Sequence, residues 1–348
     1  MKNISFECEI ITPMFLGGAD GRTPDLRPPS IKGALRFWWR AMNGYLPIDD
    51  IIMSDGEIKK GLRTQEAEIF GSGGHDANRS GVIIRTTHPE LSQVKTAFPK
   101  ANISVSAKGK LQSVNLLEYL AYGTYDWDKQ LKKNIFHQSY YSVGQKFKII
   151  MLFPRETAYQ NAVFECLYLM SIIGGIGSRS RNGYGRLKID GINNYISSKD
   201  FVSFVNSLKK GKCVDYTAFS DKMKLFGTKK RTNTWNDALF ELAKAYRSAR
   251  TSLDKPHYGE NRQYLSSPLI IDKVNKSSFL ERHSKQYFFG IEKIGSEYAG
   301  YILFLPYRFC QNSGLQLPDK PNIILPEYDR VNAQMNSHLS GSLNTFIS

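Results

Sequence analysis

Residues 157–192 read TAYQNAVFECLYLMSIIGGIGSRSRNGYGRLKIDGI, and their reading decides the fold. Tyr159, Val163, Leu167 and Met170 recur at helical spacing, which predicts an amphipathic helix. Gly174–Gly175 stops it in the manner of a left-handed C-cap, and YGRLKIDGI (184–192) follows as a closing strand. Upstream, ISFECEII (4–11) alternates like a half-buried strand. A helix is predicted over Ile31–Met42, with Ser30 as its N-cap after Pro28–Pro29. GVIIRTTH (81–88) and KFKIIMLF (146–153) read as strands, with a short helix at NLLEYLAYG (115–123) in otherwise polar, irregular chain. Strand, helix, two strands, helix, strand is the order of a ferredoxin-like βαββαβ unit, with helices on one face of an antiparallel sheet.

A second pass follows. KCVDYTAF (212–219), PLIIDKV (268–274), QYFFGIEKI (286–294) and YAGYILFLPY (298–307) are candidate strands. Helices are predicted over Trp235–Ala249 and Tyr328–His338. The expected class is α+β: two tandem ferredoxin-like (βαββαβ, RRM-like) domains with antiparallel sheets and insertions. The expected boundary, near Ser197, divides residues 1–195 from a degenerate second unit, 196–348.

The chain has 348 residues and carries 47 Lys+Arg against 32 Asp+Glu, a net charge of +15, which favours a polyanionic partner. Its four cysteines, Cys8, Cys166, Cys213 and Cys310, are widely spaced and form no CxxC pair, so neither a zinc site nor a disulfide framework is expected. The apolar span AVFECLYLMSIIGGIG contains Glu165 and paired glycines, so no membrane crossing is expected. MKNISFECEI has acids where a signal peptide needs an apolar run, and a cytoplasmic location is the expectation.

The charges concentrate in two places. In RPPSIKGALRFWWRAM (27–42), Ile31, Leu35, Trp38 and Met42 form the buried stripe, while Lys32, Arg36 and Arg40 stack beside it. No acid occurs from Leu26 to Ile48. Gly33 costs the helix about 1 kcal/mol against alanine, yet it allows a close approach to the backbone. The Ser30 hydroxyl, first-turn amides and Lys32 would hold one phosphate, with Arg36 and Arg40 reaching the next. The bland alternative is a basic solvated face around a core helix. Trp39 is open between core, stacking platform and subunit contact.

The second place is GGIGSRSRNGYGRL (174–187), with five glycines, Arg179, Arg181 and Arg186, and no acid from Cys166 to Ile189. Arginine forks fit phosphate. The loop is neither a Walker loop nor a dinucleotide fingerprint, since it follows a helix and lacks the required glycines and lysine. NGYGRLKI echoes an RNA-recognition strand but puts Arg186 and Ile189 where that motif stacks bases, which favours backbone clamping.

TPMFLGGA (12–19), the RPPSIKGALRFWWRA helix, EAEIFGS (66–72) and the GGIGSRSRNGYG loop occur in that order. Together they resemble the RAMP superfamily of CRISPR effector proteins, and more narrowly the first-subunit family of type III-B (Cmr) complexes. SSPLII (266–271) and GYILFLP (300–306) resemble that family's second half. The resemblance implies a non-catalytic RNA-binding subunit toward the 3′ end of the guide RNA (crRNA). Such a subunit helps engage target RNA beside other subunits of the effector in antiviral defence, without cofactor, metal or membrane. Carried over by position, the RNA-facing residues are Gly17, Gly18, Arg27, Ser30, Lys32, Gly33, Arg36, Arg40, Gly177, Ser178, Arg179 and Arg181. Asn182 departs from the family's pattern, which often has a further basic residue there.

The rival reading is a metal-independent RAMP endoribonuclease processing guide RNA with a histidine as acid or base. Of His75, His88, His137, His257, His283 and His338, only His75 lies on a glycine-rich loop, where a plain solvated histidine is the competing explanation. A membrane-surface role fits less well, because the cations sit with glycines and not beside a broad apolar face.

Overall fold

The structure, a computed structural model of the chain, describes residues 2–21, 23–73, 77–107, 110–154, 159–254, 260–267, 270–271, 274–275, 280, 282–312, 322–324 and 326–348. Its first half contains β1 (Lys2–Ile10), α1 (Pro28–Met42), α2 (Leu62–Phe70), β2 (Ile83–Thr87), α3 (Leu116–Leu120), β3 (Lys146–Phe153), α4 (Gln160–Leu169) and β4 (Leu187–Ile189). β1 pairs antiparallel with β3 from Lys2↔Phe153 to Glu9↔Lys146, and with β4 on its other edge. β2 closes the far side of β3, giving the order β4-β1-β3-β2.

Period-2 alternation puts Ile4, Phe6, Cys8 and Ile10 of β1 in the core with Phe147, Ile149, Met151 and Phe153 of β3. α1 and α4 cover that face, and Phe6 meets Phe164 edge-on at 5.8 Å. The predicted stripe on α1 is buried throughout. Burying Ile31, Leu35, Trp38 and Met42 at roughly 1.5–3 kcal/mol each easily offsets the helix penalty of Gly33. Trp39 is also core, 2% exposed.

The second half contains α5 (Phe201–Ser207), β5 (Lys224–Gly227), α6 (Trp235–Ser252), β6 (Tyr287–Ile294), β7 (Glu297–Phe304), α7 (Pro326–Ser342) and β8 (Asn344–Ile347). Its antiparallel sheet runs β6-β7-β5-β8. Numbered within their own halves, both sheets have their strands in the order fourth, first, third, second. Leu239, Leu242 and Tyr246 of α6 and Val331, Met335 and Leu339 of α7 are buried in this half. One apolar cluster spans both halves, from Ile4 to Ile347. At the seam the Trp38 and Phe288 rings lie 5.5 Å apart.

Several boundaries differ from expectation. α1 starts at Pro28, so Ser30 is its third residue and not the N-cap; Arg27 holds that position without a side-chain cap. The supposedly irregular insertion contains two hairpins, Asn102–Ala107 with Lys110–Asn115 and Tyr125–Asp128 with Lys133–Phe136. α4 ends in a π-turn over Met170–Gly174. Gly175 has φ 64° as expected for a glycine stop, but its ψ of 173° is extended and not left-handed helical. KCVDYTAF is not a strand; the strand lies just beyond it, at β5. PLIIDKV falls partly outside the described residues; of its described part, Ile270–Ile271 pairs with Val274–Asn275.

Candidate nucleic-acid interface

The N-terminus of α1 is built differently from the anion site expected of it. Pro28 and Pro29 occupy its first two positions, and proline has no N–H. The next amide, of Ser30, lies 3.0 Å from the Arg27 carbonyl. The expectation of bare first-turn amides is therefore corrected: this end of the helix works through side chains. Arg27 donates from Nη2 to the Gly17 carbonyl at 3.1 Å, tying α1 to the Gly17–Gly18 turn.

The cationic stripe is not unopposed either. Glu66 of α2, its side chain only 9% exposed, accepts at Oε1 from Arg36 Nε at 2.7 Å and from Arg40 Nη1 at 3.0 Å. A single carboxylate answers two guanidiniums, and both keep much of their surface: 37% for Arg36 and 43% for Arg40. Lys32 donates to Ser80 Oγ at 2.8 Å. Burial, and secondarily Arg36, lowers its pKa. Three cations and one acid leave this face with two positive charges. Gly33 is exposed between them, and nothing lies within 4 Å of where its Cβ would be.

The glycine loop supplies the amides that α1 lacks. Gly177 has φ 92°, and a Cβ there would overlap the Phe15 carbonyl. That closeness lets Ser178 N–H donate to Phe15 O at 2.7 Å. Arg179 has φ 59°, an uncommon conformation for a residue with a side chain. The amides of Gly177, Arg179 and Ser180 make no hydrogen bond among the described residues. Gly177, Ser178 and Arg179 are all exposed. Successive amides around a left-handed residue form an anion-binding concavity. The Phe15–Gly17 segment thus joins the loop, the Gly17–Gly18 turn and Arg27 on one side of the molecule.

Arg181 and Arg186 turn inward. Arg181 donates to the Lys285 carbonyl at 2.6 Å, and its guanidinium lies 4.5 Å from the Phe288 ring and 5.7 Å from Phe37. Burial lowers its pKa. Arg186, fully buried, donates to Ser180 O at 2.6 Å, to Tyr184 O at 3.4 Å and to Phe289 O. Burial pushes its pKa down to about 9. Lys285 stands 4.1 Å from the Phe289 ring, its pKa held well below normal by burial and by Arg181, Arg250 and Arg186. Of the two arginines, Arg181 was expected to face RNA; the structure commits it to the seam between the sheets.

A RAMP-superfamily model matches residues 7–188, over half of the chain. This protein belongs to the RAMP superfamily. Within the RAMP proteins it is 31% identical over 199 residues to the CRISPR system Cmr subunit Cmr1-2 of Pyrococcus furiosus, covering 54% of this chain and 96% of that protein. It is also 31% identical over 188 residues to Cmr1-1 of the same organism, covering 53% of this chain and 46% of that one. The crystal structure of Pyrococcus furiosus Cmr1 in its apo form aligns with a TM-score of 0.56 at 20% identity, covering 99% of this chain and 98% of the other. A chain of a type III-B Cmr-beta complex bound to cognate target RNA aligns at a TM-score of 0.50 and 13% identity, over 96% and 99%. Those two likenesses are of fold. They extend the likeness of fold, and only that, across the half of this chain that sequence similarity does not reach.

Three contributors escaped the sequence reading. Glu66 was visible in EAEIFGS, but its local candidate partner is Arg63, three residues before it, whereas its actual partners lie 26 and 30 residues away. Lys285 and Arg250 carry no motif. Among the described residues no group of three or more His, Cys, Asp or Glu is placed to hold a metal, and none of the helices is long and apolar enough to cross a membrane. His75 and His257 lie outside the described residues. His283 sits between Tyr307 Oη at 3.1 Å and the Gln263 carbonyl at 2.9 Å.

Proposed function

We propose that this RAMP protein is the non-catalytic, RNA-binding first subunit of a cytoplasmic type III-B effector complex. It lies toward the 3′ end of the guide RNA, helps engage target RNA, and contacts neighbouring subunits. Its two halves are read as tandem ferredoxin-like domains divided near residue 195, because each repeats the same strand order. The similarity to Cmr1-2 supports the assignment to that complex.

One observation carries the RNA reading. The Ser178–Phe15 bond and the Arg27–Gly17 bond bring an exposed amide concavity, a glycine turn and the cationic helix onto a common segment. Gly17, Gly18, Arg27, Gly177, Ser178 and Arg179 form one end of the groove; Lys32, Gly33, Arg36 and Arg40 extend it along α1. Ser30 offers its hydroxyl at the start of α1, and Arg181 supports the groove from behind through the Lys285 carbonyl.

The test is single-stranded RNA binding by anisotropy as salt is raised. With roughly four phosphates neutralised, the log–log slope is about −3, some fifty-fold weaker binding between 50 and 200 mM. Arg179→Ala with Arg36→Ala flattens that slope by about two phosphates' worth and leaves labelled RNA uncut. A slope near zero would remove the clamp, and cleavage by the purified chain would move the case to the ribonuclease reading.

A further inference from the structure

Beside the groove, Phe37 and Arg40 of α1, Leu62, Arg63 and Glu66 of α2, and Ile48, Tyr216 and Thr217 line an open cavity of about 450 Å³. Its walls are Phe37, Ile48, Leu62 and Tyr216, and two of these are aromatic. Arg40 and Arg63 are exposed at its rim; Arg63 is also 2.7 Å from Asp49. One polar group in it has unused capacity. Glu66 Oε1 takes both arginine bonds, while Oε2 has only a 3.4 Å contact from Arg40. The Tyr216 hydroxyl is buried and has no hydrogen-bond partner among the described residues. With its hydroxyl sealed from solvent, Tyr216 offers the cavity its ring.

We propose that this cavity receives one unstacked nucleobase of the RNA held on α1, and that it prefers guanine. The proposal rests on the RNA-binding reading and adds base selection to it. Apolar and aromatic walls suit any base, because every base has a π-face. The discrimination comes from Glu66. A carboxylate only accepts, and guanine alone among the four bases presents two adjacent donors, the N1–H and the 2-amino group. Adenine and cytosine each set a ring acceptor beside their amino group, and uracil flanks its single N–H with two carbonyls. A site built around a hydrogen-bonding group rejects partners that leave it unpaired far better than an apolar pocket rejects a size mismatch. The guanidiniums of Arg40 and Arg63 at the rim would meet the flanking phosphates.

The experiment compares the full chain binding a labelled oligoadenylate decamer with the same decamer carrying one central guanosine. With Oε1 taken by the arginines, the two guanine donors converge on Oε2, which gives about tenfold tighter binding for the guanosine RNA. That preference disappears in Glu66→Gln and Tyr216→Ala but survives in Tyr216→Phe. Because Glu66→Gln also disturbs the arginine pairing, a second measurement uses the unaltered protein: RNA with 6-thioguanosine at that position photo-crosslinks to the peptide containing Tyr216. Salt-dependent binding with no guanosine preference, or crosslinks confined to other peptides, overturns the pocket while leaving the clamp standing. If neither RNA binds, the clamp falls, and the pocket is judged by calorimetry with GMP against AMP, where equal affinity overturns it.

Discussion

A methyl group added at Gly33 separates the two explanations for a glycine inside a core-forming helix. Gly33 is the sixth residue of α1, exposed, with open space where its Cβ would be. In an exposed helix interior, alanine is favoured over glycine by about 1 kcal/mol, partly through the smaller conformational freedom of the unfolded chain. Nothing in the folded protein opposes that gain. Gly33→Ala is therefore expected to stabilise the free protein by about 0.5–1 kcal/mol, moving the urea midpoint up by about 0.3 M at a slope near 3 kcal/mol per molar. The same methyl stands between Lys32 and Arg36, on the proposed path of the ribose-phosphate strand. Displacing one charge-assisted phosphate contact, worth about 1.5 kcal/mol, weakens RNA binding roughly tenfold. The decisive result is a protein that is more stable and binds less. A less stable variant would mean that the space above Gly33 is not open. A more stable variant with unchanged RNA affinity would mean that the strand does not cross this helix at Gly33.

Two further outcomes concern the seam. Arg186→Met removes a buried cation but strands the carbonyls of Tyr184 and Phe289, while Ser180 O keeps the Gly183 N–H at 3.1 Å; at about 1–3 kcal/mol for each acceptor left unpaired, that loss exceeds the relief of the buried charge. Urea unfolding should show a loss of about 3 kcal/mol or no soluble protein, and a gain in stability would reverse the balance. His283 is held below its ordinary value of 6.5 by burial, partly offset by hydrogen bonds with Gln263 and Ser284. The unfolded chain takes up a proton near pH 6.5 that the folded one refuses, so this contribution is intact above that pH and is lost as pH falls through it. Unfolding at about pH 7.5 and 5.5 should show a steeper loss for the natural protein than for His283→Gln; parallel losses would exclude His283 as the cause.

Long, regular signals were legible in the chain. β3 fell within its predicted limits because its alternating start runs into an unbroken apolar stretch with no glycine or proline to stop it, and the α1 stripe was read residue by residue. Short strands were not: β5 and β8 have four residues each, and Gly227 at the end of β5 leaves no alternation to detect. KCVDYTAF looked more strand-like, yet it docks by other means, with Phe219 N–H donating to Ala41 O at 2.9 Å. Charge pairing was the harder failure. A run free of acids says nothing about an acid 26 residues downstream, so Glu66 was invisible as a partner until α2 was folded against α1. The missing amides at Pro28–Pro29 were legible in principle, since a proline cannot donate wherever the helix begins.

The glycine loop has one mechanical consequence. Ser178 is fastened to Phe15 on the first half and Arg181 O to Phe289 N–H on the second, only three residues apart along the chain. So short a tether leaves little slack, and the halves cannot hinge here without tearing one of the two attachments. A load applied at Arg179 is therefore shared between Phe15 and β6.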